Sequence, residues 1–354
     1  MVKKIAILLA VALGIVGFLF RNEIKSLLTS GSRSDNSSEV KLLFRTDPSL
    51  SELSAVLLEN GVIDSEKKLF AAVIDNNVDT TQFAAGKYII LSRTKMRDLV
   101  NGFVKGENGH GAAEVKVNVL FNRCVDIPDV GSNISKCIIA DSASIVDFIL
   151  SEQTLKKYGF TAEQIPAMFI AKKYEMYFDT NAEEFVEIMA AEFRNYWNAE
   201  RMQKLKNVGF TSPSQAVTLA SIVYLEQSRV PEEWPIIAKL YMNRIEQGIP
   251  LQADPTFKFC WPDRLKGVER LLNVHRDKDC PYNTYLYKGI PPGPICLPPY
   301  DVVEAVLNPA DVDYLFLCGD GTGHHNFAST NAEHNKNVAE YRVWLKEYLK
   351  KQNS

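Results

Sequence analysis

Ser212-Pro-Ser-Gln-Ala-Val-Thr-Leu-Ala-Ser-Ile-Val-Tyr-Leu-Glu-Gln-Ser228 is the stretch whose reading decides the fold. Pro213 suits the first helical position, where its missing N–H costs no bond. Ser212 followed three residues later by Gln215 reads as a capping box. Pro231 requires the helix to end before it. Between these limits Leu219, Ile222 and Val223 share one face, and Glu226 is the next position on it, because residues three, four and seven apart are helical neighbours. A carboxyl group thus replaces an aliphatic side chain in the last turn of the buried side. Two effects raise its pKa there: partial desolvation and the negative end of the helix dipole. A glutamic acid kept protonated near neutral pH suits general acid cleavage of a glycosidic bond. A surface Glu at a frayed end, or one paired with Arg229, fits the same pattern.

Outward from this helix, Glu232 to Gln247 forms another, closed by Gly248. Upstream, one helix is expected from Ala182 to about Lys204, and the chain is mainly helical from Ser142 to Arg244, with stops near Gly159 and Gly209. Downstream, Ile249 to Asp320 is rich in Pro, Gly, Asn and Tyr and lacks long periodic segments. A stretch of that length inside a compact domain is usually functional or disordered, and its aromatic content makes disorder the poorer choice. Near the start, Val40 to Phe44 reads as a strand, Ser49 to Asn60 and Ser65 to Asn76 as helices, Gly86 to Ser92 as a strand, and Lys95 to Phe103 as a short helix. Val115 to Phe121 is a further strand. The fold class is α+β. The strand-helix-helix-strand order of residues 40–105 is similar to LysM-like modules, which hold glycan chains, and equally suits a plain βααβ packing unit. Residues 106–354 form the second, larger domain.

The chain has 354 residues and a net charge of -3, so it offers no basic field to hold a polyanion, and nucleic acid is not expected as a partner. Residues 1–23 stand apart. Ile5 to Phe20 carries no charge and follows Lys3 and Lys4. A membrane-crossing helix needs about 20 apolar residues, with a lower limit near 17. Phe18-Leu19-Phe20-Arg21 is a poor cleavage site for a signal peptide. A core helix would not be followed by the polar stretch Thr29-Ser-Gly-Ser-Arg-Ser-Asp-Asn-Ser-Ser38, which with its flanks (residues 24–39) reads as a flexible linker. The expectation is a single uncleaved transmembrane anchor in the inner membrane. Lys3 and Lys4 keep its tip in the cytoplasm, and the bulk of the chain lies on the periplasmic, extracytoplasmic side. Six cysteines allow three bridges or a set of buried thiols, and no pairing follows from their spacing.

Several strings then recur in order. After Ala220-Ser-Ile-Val-Tyr-Leu-Glu-Gln227 come Pro250-Leu-Gln-Ala-Asp-Pro-Thr256, Cys280-Pro-Tyr-Asn-Thr-Tyr285, Gly289-Ile-Pro-Pro-Gly-Pro-Ile295, Leu307-Asn-Pro-Ala-Asp311, and His325-Asn-Phe-Ala-Ser-Thr330 with Glu333-His-Asn335. Together they resemble the endolytic murein transglycosylases of the MltG/YceG-like family, over roughly Ala182 to Tyr341. The family's helix carries two Glu residues. The first is Tyr224 here and the second is kept as Glu226, with Gln227 where Thr is usual. An upstream family segment is degraded to Ile165-Pro-Ala-Met-Phe-Ile-Ala-Lys-Lys-Tyr174.

The resemblance implies a lytic transglycosylase cutting the MurNAc–GlcNAc bond of nascent peptidoglycan glycan strands, leaving 1,6-anhydro ends and terminating elongation, with peptidoglycan synthases as possible neighbours. Glu226 would be the catalytic residue. Gln252, Asp254, Thr256, Asn283, Thr284 and Tyr285 are candidates for binding sugars, although Asp254-Pro255 and Asn283-Thr284 also suit turns. His325, Asn326 and Glu333 read as hydrogen-bonding loop residues near the site. No cofactor and no metal are expected, since His324 and His325 would face opposite sides of a strand. Two alternatives remain at this point: a muramidase-type hydrolase with Asp254 as second carboxylate, and a non-catalytic, membrane-anchored glycan-binding scaffold.

Overall fold

A computed structural model describes residues 39–352, apart from 92, 121–123, 262, 264 and 268–272. The apolar run Ile5 to Phe20 and most of the linker lie outside the described residues. Among the described residues no helix is long and apolar enough to cross a membrane. The chain divides into two compact units. Of the described residues, one contains those up to Val119 with Cys137–Ile139 and Glu175–Thr180, and the other contains the remainder.

In the first unit, strand β1 (Glu39–Phe44) is followed by helices α1 (Leu50–Glu59) and α2 (Glu66–Asp75), strand β2 (Gly86–Leu91) and helix α3 (Met96–Gly102). The strands pair antiparallel, with Leu42 opposite Tyr88 and Phe44 opposite Gly86. Leu42, Phe44, Tyr88 and Ile90 alternate inward, as the period of two in a half-buried strand demands. They pack on Leu53 and Leu57 of α1, Leu69 and Val73 of α2, and Leu99 and Val100 of α3. Ser49 and Glu52 close a reciprocal capping box at the start of α1. The unit continues past Lys105 because the next loop folds back: Lys105 N–H donates to the Gln82 carbonyl, and Val115 N–H to that of Lys87.

Strand β3 (Val117–Leu120) leads to helices α4 (Ile127–Ile134), α5 (Ser142–Leu150) and α6 (Glu152–Tyr158), then strand β4 (Lys173–Met176). Helices α7 (Ala182–Tyr196) and α8 (Ala199–Asn207) stand where one helix was expected. The break has a local cause. Asn198 turns extended and its side chain caps α8, accepting from Arg201 N–H at 3.0 Å. Helix α9 (Pro213–Glu226) is the centre of the second unit, with every residue from Ala216 to Val223 buried. It starts as the sequence indicates, with Gln215 Oε1 accepting from Thr211 N–H and Ser212 N–H. Around it lie α10 (Trp234–Glu246), the short α11 (Asp254–Phe259), the single turn α12 (Asn273–Arg276) and α13 (Tyr300–Leu307). The hairpin β5 (Phe316–Gly319) and β6 (His325–Ala328) precedes the long α14 (Asn331–Gln352). Cys260 and Cys280 form a disulfide, while Cys124 and Cys318 are free thiols.

Candidate active site

Glu226 ends α9 at the wall of a cleft of about 510 Å3, lined also by Tyr241, Arg244, Gln252, Asp254, Arg276, Tyr285, Phe316 and His334. The helix delivers it there because Leu219, Ile222 and Val223, one and two turns earlier, are fully buried. Tyr241 Oη donates to Glu226 Oε1 at 2.9 Å, and the Asp254 amide also donates to the carboxyl. Burial is the main reason that the Glu226 carboxyl is pushed up to about 7, with the nearby Asp254 charge adding to it; the Tyr241 hydrogen bond acts the other way. Glu226 therefore holds a proton at neutral pH or just below, which a free carboxyl does not.

Asp254 begins α11 and is held by two partners. Tyr285 Oη donates to its Oδ1 at 2.6 Å, and Arg276 Nη2 approaches the same oxygen at 3.3 Å. The Arg276 guanidinium also lies over the Tyr285 ring, 5.0 Å from its centroid. Arg276 comes from the loop that the Cys260–Cys280 bridge closes. Asn283 fixes that loop, its Nδ2 donating to the carbonyls of Arg276 and Lys278. Gln252 adopts φ of 53°, a left-handed conformation unusual for a residue with a side chain. Two bonds hold it: its N–H donates to the Thr284 carbonyl and its Oε1 accepts from Arg244 Nη2, with Arg244 itself anchored by its Nε donating to Pro250 O. His334 presents a buried Nδ1 without a protein partner, and burial, then the Arg244 charge, lowers its pKa, so it is a neutral imidazole facing the cleft.

The expected site residues fall into three groups. Glu226, Gln252, Asp254 and Tyr285 come together on the cleft wall. Thr256, Asn283 and Thr284 are buried to 2% exposure or less beneath it. Thr256 Oγ1 and Thr284 Oγ1 lie 2.8 Å apart, and Thr284 Oγ1 accepts from Ala253 N–H, so these side chains clamp α11 to the 280–285 segment. His325, Asn326 and Glu333 serve the hairpin and α14. His325 donates its N–H to Glu233 Oε1 and meets Glu233 Oε2 through Nδ1 at 2.6 Å. Asn326 pairs with Cys318 across the hairpin, and Glu333 accepts from Ser329 and Thr330 N–H ahead of α14.

The Gly289–Ile295 string is explained by packing. A Cβ on Gly293 would lie 1.8 Å from the Glu163 carbonyl oxygen, and Ile295 N–H donates to Ser221 Oγ in the middle of α9. Tyr224 packs edge-on against Trp234, at 6.5 Å between ring centroids, and is not among the described residues that line the cleft.

A family model described as the YceG-like family matches residues 44–340. The chain belongs to the YceG-like family. Among YceG-like relatives, an endolytic murein transglycosylase of Bacillus subtilis (strain 168) is 27% identical over 90% of this chain and 88% of its own length. The endolytic murein transglycosylase of Streptococcus pneumoniae serotype 2 is 24% identical over 81% of this chain, which spans about half of it, 54%. A crystal structure of a YceG-like protein from Listeria monocytogenes aligns with a TM-score of 0.52 at 22% identity, covering 84% of this chain and 98% of that one, and so shares the fold.

Sequence reading missed Tyr241, Arg244, Arg276 and His334 on the cleft wall. His334 stood within a string already singled out, Glu333-His-Asn335. Tyr241 and Arg244 had a weaker signal: two polar-tipped residues three apart on the helix that follows Glu226.

Proposed function

We propose that this chain is an endolytic lytic transglycosylase acting on peptidoglycan glycan strands, with Glu226 as its acid and base. Glu226 in its neutral form donates a proton to the oxygen between N-acetylmuramic acid and N-acetylglucosamine. The resulting carboxylate, stabilised by Tyr241, takes the proton of the muramyl 6-hydroxyl as that oxygen attacks the anomeric carbon. The bond to the leaving sugar breaks, a 1,6-anhydro end forms, and the carboxyl regains its proton. The observation that carries this reading is the desolvated Glu226 carboxyl, with a pKa near 7, at the wall of a cleft lined by polar and aromatic side chains suited to sugars.

Asp254 is placed to hold rather than to activate. Its Oδ1 is already engaged by Tyr285 and Arg276, which fits a group that orients a sugar hydroxyl better than one that recruits water for hydrolysis. Tyr285 and Phe316 give the cleft aromatic walls, and Gln252 and His334 offer polar atoms for hydroxyl and N-acetyl groups.

We extend the proposal to three features whose support is sequence alone. Ile5 to Phe20 anchors the chain in the membrane. The module of residues 40–105 is LysM-like and assists in holding a strand. Cleavage limits nascent strands beside their synthases. The deciding experiment is mass analysis of fragments released from isolated peptidoglycan. Anhydro ends, one water lighter than reducing ends, are expected; reducing ends would indicate hydrolysis, and no release would favour a binding scaffold.

A further inference from the structure

The first unit contains three chemistry-bearing side chains that the reaction does not use. His110 and Glu114 stand on the loop after α3, and Asp179 stands on the segment Glu175–Thr180, which belongs to the same unit. Asp179 is 65 residues from Glu114 in the chain, which is why spacing gave no hint of the cluster. His110 Nδ1 lies 2.5 Å from Asp179 Oδ1 and 3.9 Å from Glu114 Oε2. One donor atom from each residue falls within 4.8 Å of the others.

The decisive atom is Glu114 Oε2. The Glu114 side chain is fully buried, at 0% exposure. Its other oxygen, Oε1, accepts from Phe178 N–H at 3.0 Å and Asp179 N–H at 3.4 Å, which orients the carboxyl. Oε2 has no hydrogen-bond partner and points toward the His110 imidazole. A buried carboxylate oxygen without a partner is costly to maintain, and buried carboxylates are normally paired or bound to a metal.

The surroundings are built for this carboxyl. Gly86 leaves it room, since a Cβ there would lie 2.4 Å from Glu114 Cδ. His110 stacks on Tyr177, with ring centroids 4.1 Å apart, which fixes the imidazole plane. The loop itself is pinned by Gly106 N–H donating to the His110 carbonyl and Glu114 N–H to that of Gly111. Two cations of the unit lie close by: Lys116 Nζ sits over the Tyr177 ring at 5.4 Å, and Arg45 lies 5.7 Å from the Phe178 ring centroid.

We propose that His110 Nδ1, Glu114 Oε2 and Asp179 Oδ1 bind one divalent transition-metal ion of the Zn2+ type. One imidazole with two carboxylates is a donor set that such an ion accepts, the two negative charges balance it, and a water completes the tetrahedron. Bonds of about 2.0–2.2 Å on a tetrahedral ion place donor atoms about 3.3 Å apart, so the observed separations of 2.5 and 3.9 Å need only small side-chain shifts. The ion would tie the 105–114 loop to the Glu175–Thr180 segment, a tie between two parts of one unit that are far apart in sequence.

The test uses the full chain, stripped with EDTA and dialysed, then titrated with Zn2+ by calorimetry and with Co2+ by visible absorption. Saturable 1:1 Zn2+ binding is expected, together with a rise in unfolding temperature and Co2+ d–d bands. Glu114→Gln keeps the side-chain shape and should weaken Zn2+ binding at least about 100-fold, more than loss of an outer-shell partner does. Asp179→Asn, which leaves Glu114 untouched, should lower affinity in the same sense. Absence of saturable binding to the wild-type chain would overturn the proposal. So would wild-type affinity in both variants, since the metal would then sit elsewhere.

Discussion

Replacing Glu226 by Gln removes the one proton the proposed chemistry depends on while keeping size and the hydrogen bond from Tyr241. Cleavage should fall by about 10²–10⁴-fold, the usual contribution of a general acid–base group. The same substitution carries a stability signature with a defined sign. The folded-state pKa of Glu226 lies near 7 against an ordinary value of 4.5. Between those values the folded chain keeps a proton that the unfolded chain has lost, so stability falls as pH rises through that window. At roughly 1.4 kcal/mol per pKa unit, the ionised carboxyl costs the folded state about 3 kcal/mol above pH 7, a ceiling because one side opens on the cleft. The amide of the Glu226→Gln variant is free of this cost. Relative to wild type, the variant should gain nothing below about pH 4.5 and up to about 6–12 °C in unfolding temperature at pH 8, taking about 2–4 °C per kcal/mol for a domain of 150–250 residues. Scanning calorimetry at pH 5 and pH 8 on both proteins, alongside the fragment assay, makes the measurement. An offset that does not change with pH, or a variant that still cuts, would refute the placement of the acid.

Tyr241→Phe removes a hydrogen bond to the carboxylate that contributes about 1.5–3 kcal/mol, so the alkaline limb of the pH–rate profile should move up by about 1–2 units; an unmoved limb would mean that Tyr241 does not act through Glu226. Arg276→Ala frees Asp254 from its ion pair and should raise KM more than it lowers kcat, measured on a soluble glycan, because Arg276 positions rather than reacts. Reducing the Cys260–Cys280 bridge releases a loop closure worth about 3 kcal/mol and loosens the segment that carries Arg276; the expected readout is a raised KM with a lowered unfolding temperature. Full-length protein should sediment with membranes and keep its N-terminal residues, and recovery of a soluble form beginning after Phe20 would rule out an uncleaved anchor.

The helix that bears Glu226 was legible because its start is written in Ser212, Pro213 and Gln215, and its inward face in Leu219, Ile222 and Val223. The break at Trp197–Asn198 was legible only in part: a capping Asn competes there with an otherwise continuous helical pattern, and local hydrogen bonding wins. Within the site, a carboxyl out of place on an apolar stripe announces itself, whereas Tyr241 and Arg244 look like ordinary half-buried residues until the fold turns them toward it. The long motif strings converge on the cleft for a mixed reason. Asp254 and Tyr285 reach the cleft, but Thr256, Asn283, Thr284 and Gly293 are fixed by packing and turn geometry beneath it. A motif marks where a chain is constrained, and only three-dimensional position separates the constraint of folding from that of contact.

The cleft wall is gathered from Glu226, from Tyr241 on the next helix, from the 252–285 loops, and from Phe316 and His334 near the far end of the chain. Residues from all of these segments surround the Glu226 carboxyl, whose pKa burial raises. A partly folded chain, with α9 formed but the later segments still open, carries an ordinary acidic side chain that has already given up its proton at neutral pH. Such a chain has nothing to donate to a glycosidic oxygen. On the proposed mechanism, cutting power would arrive together with the final long-range closure.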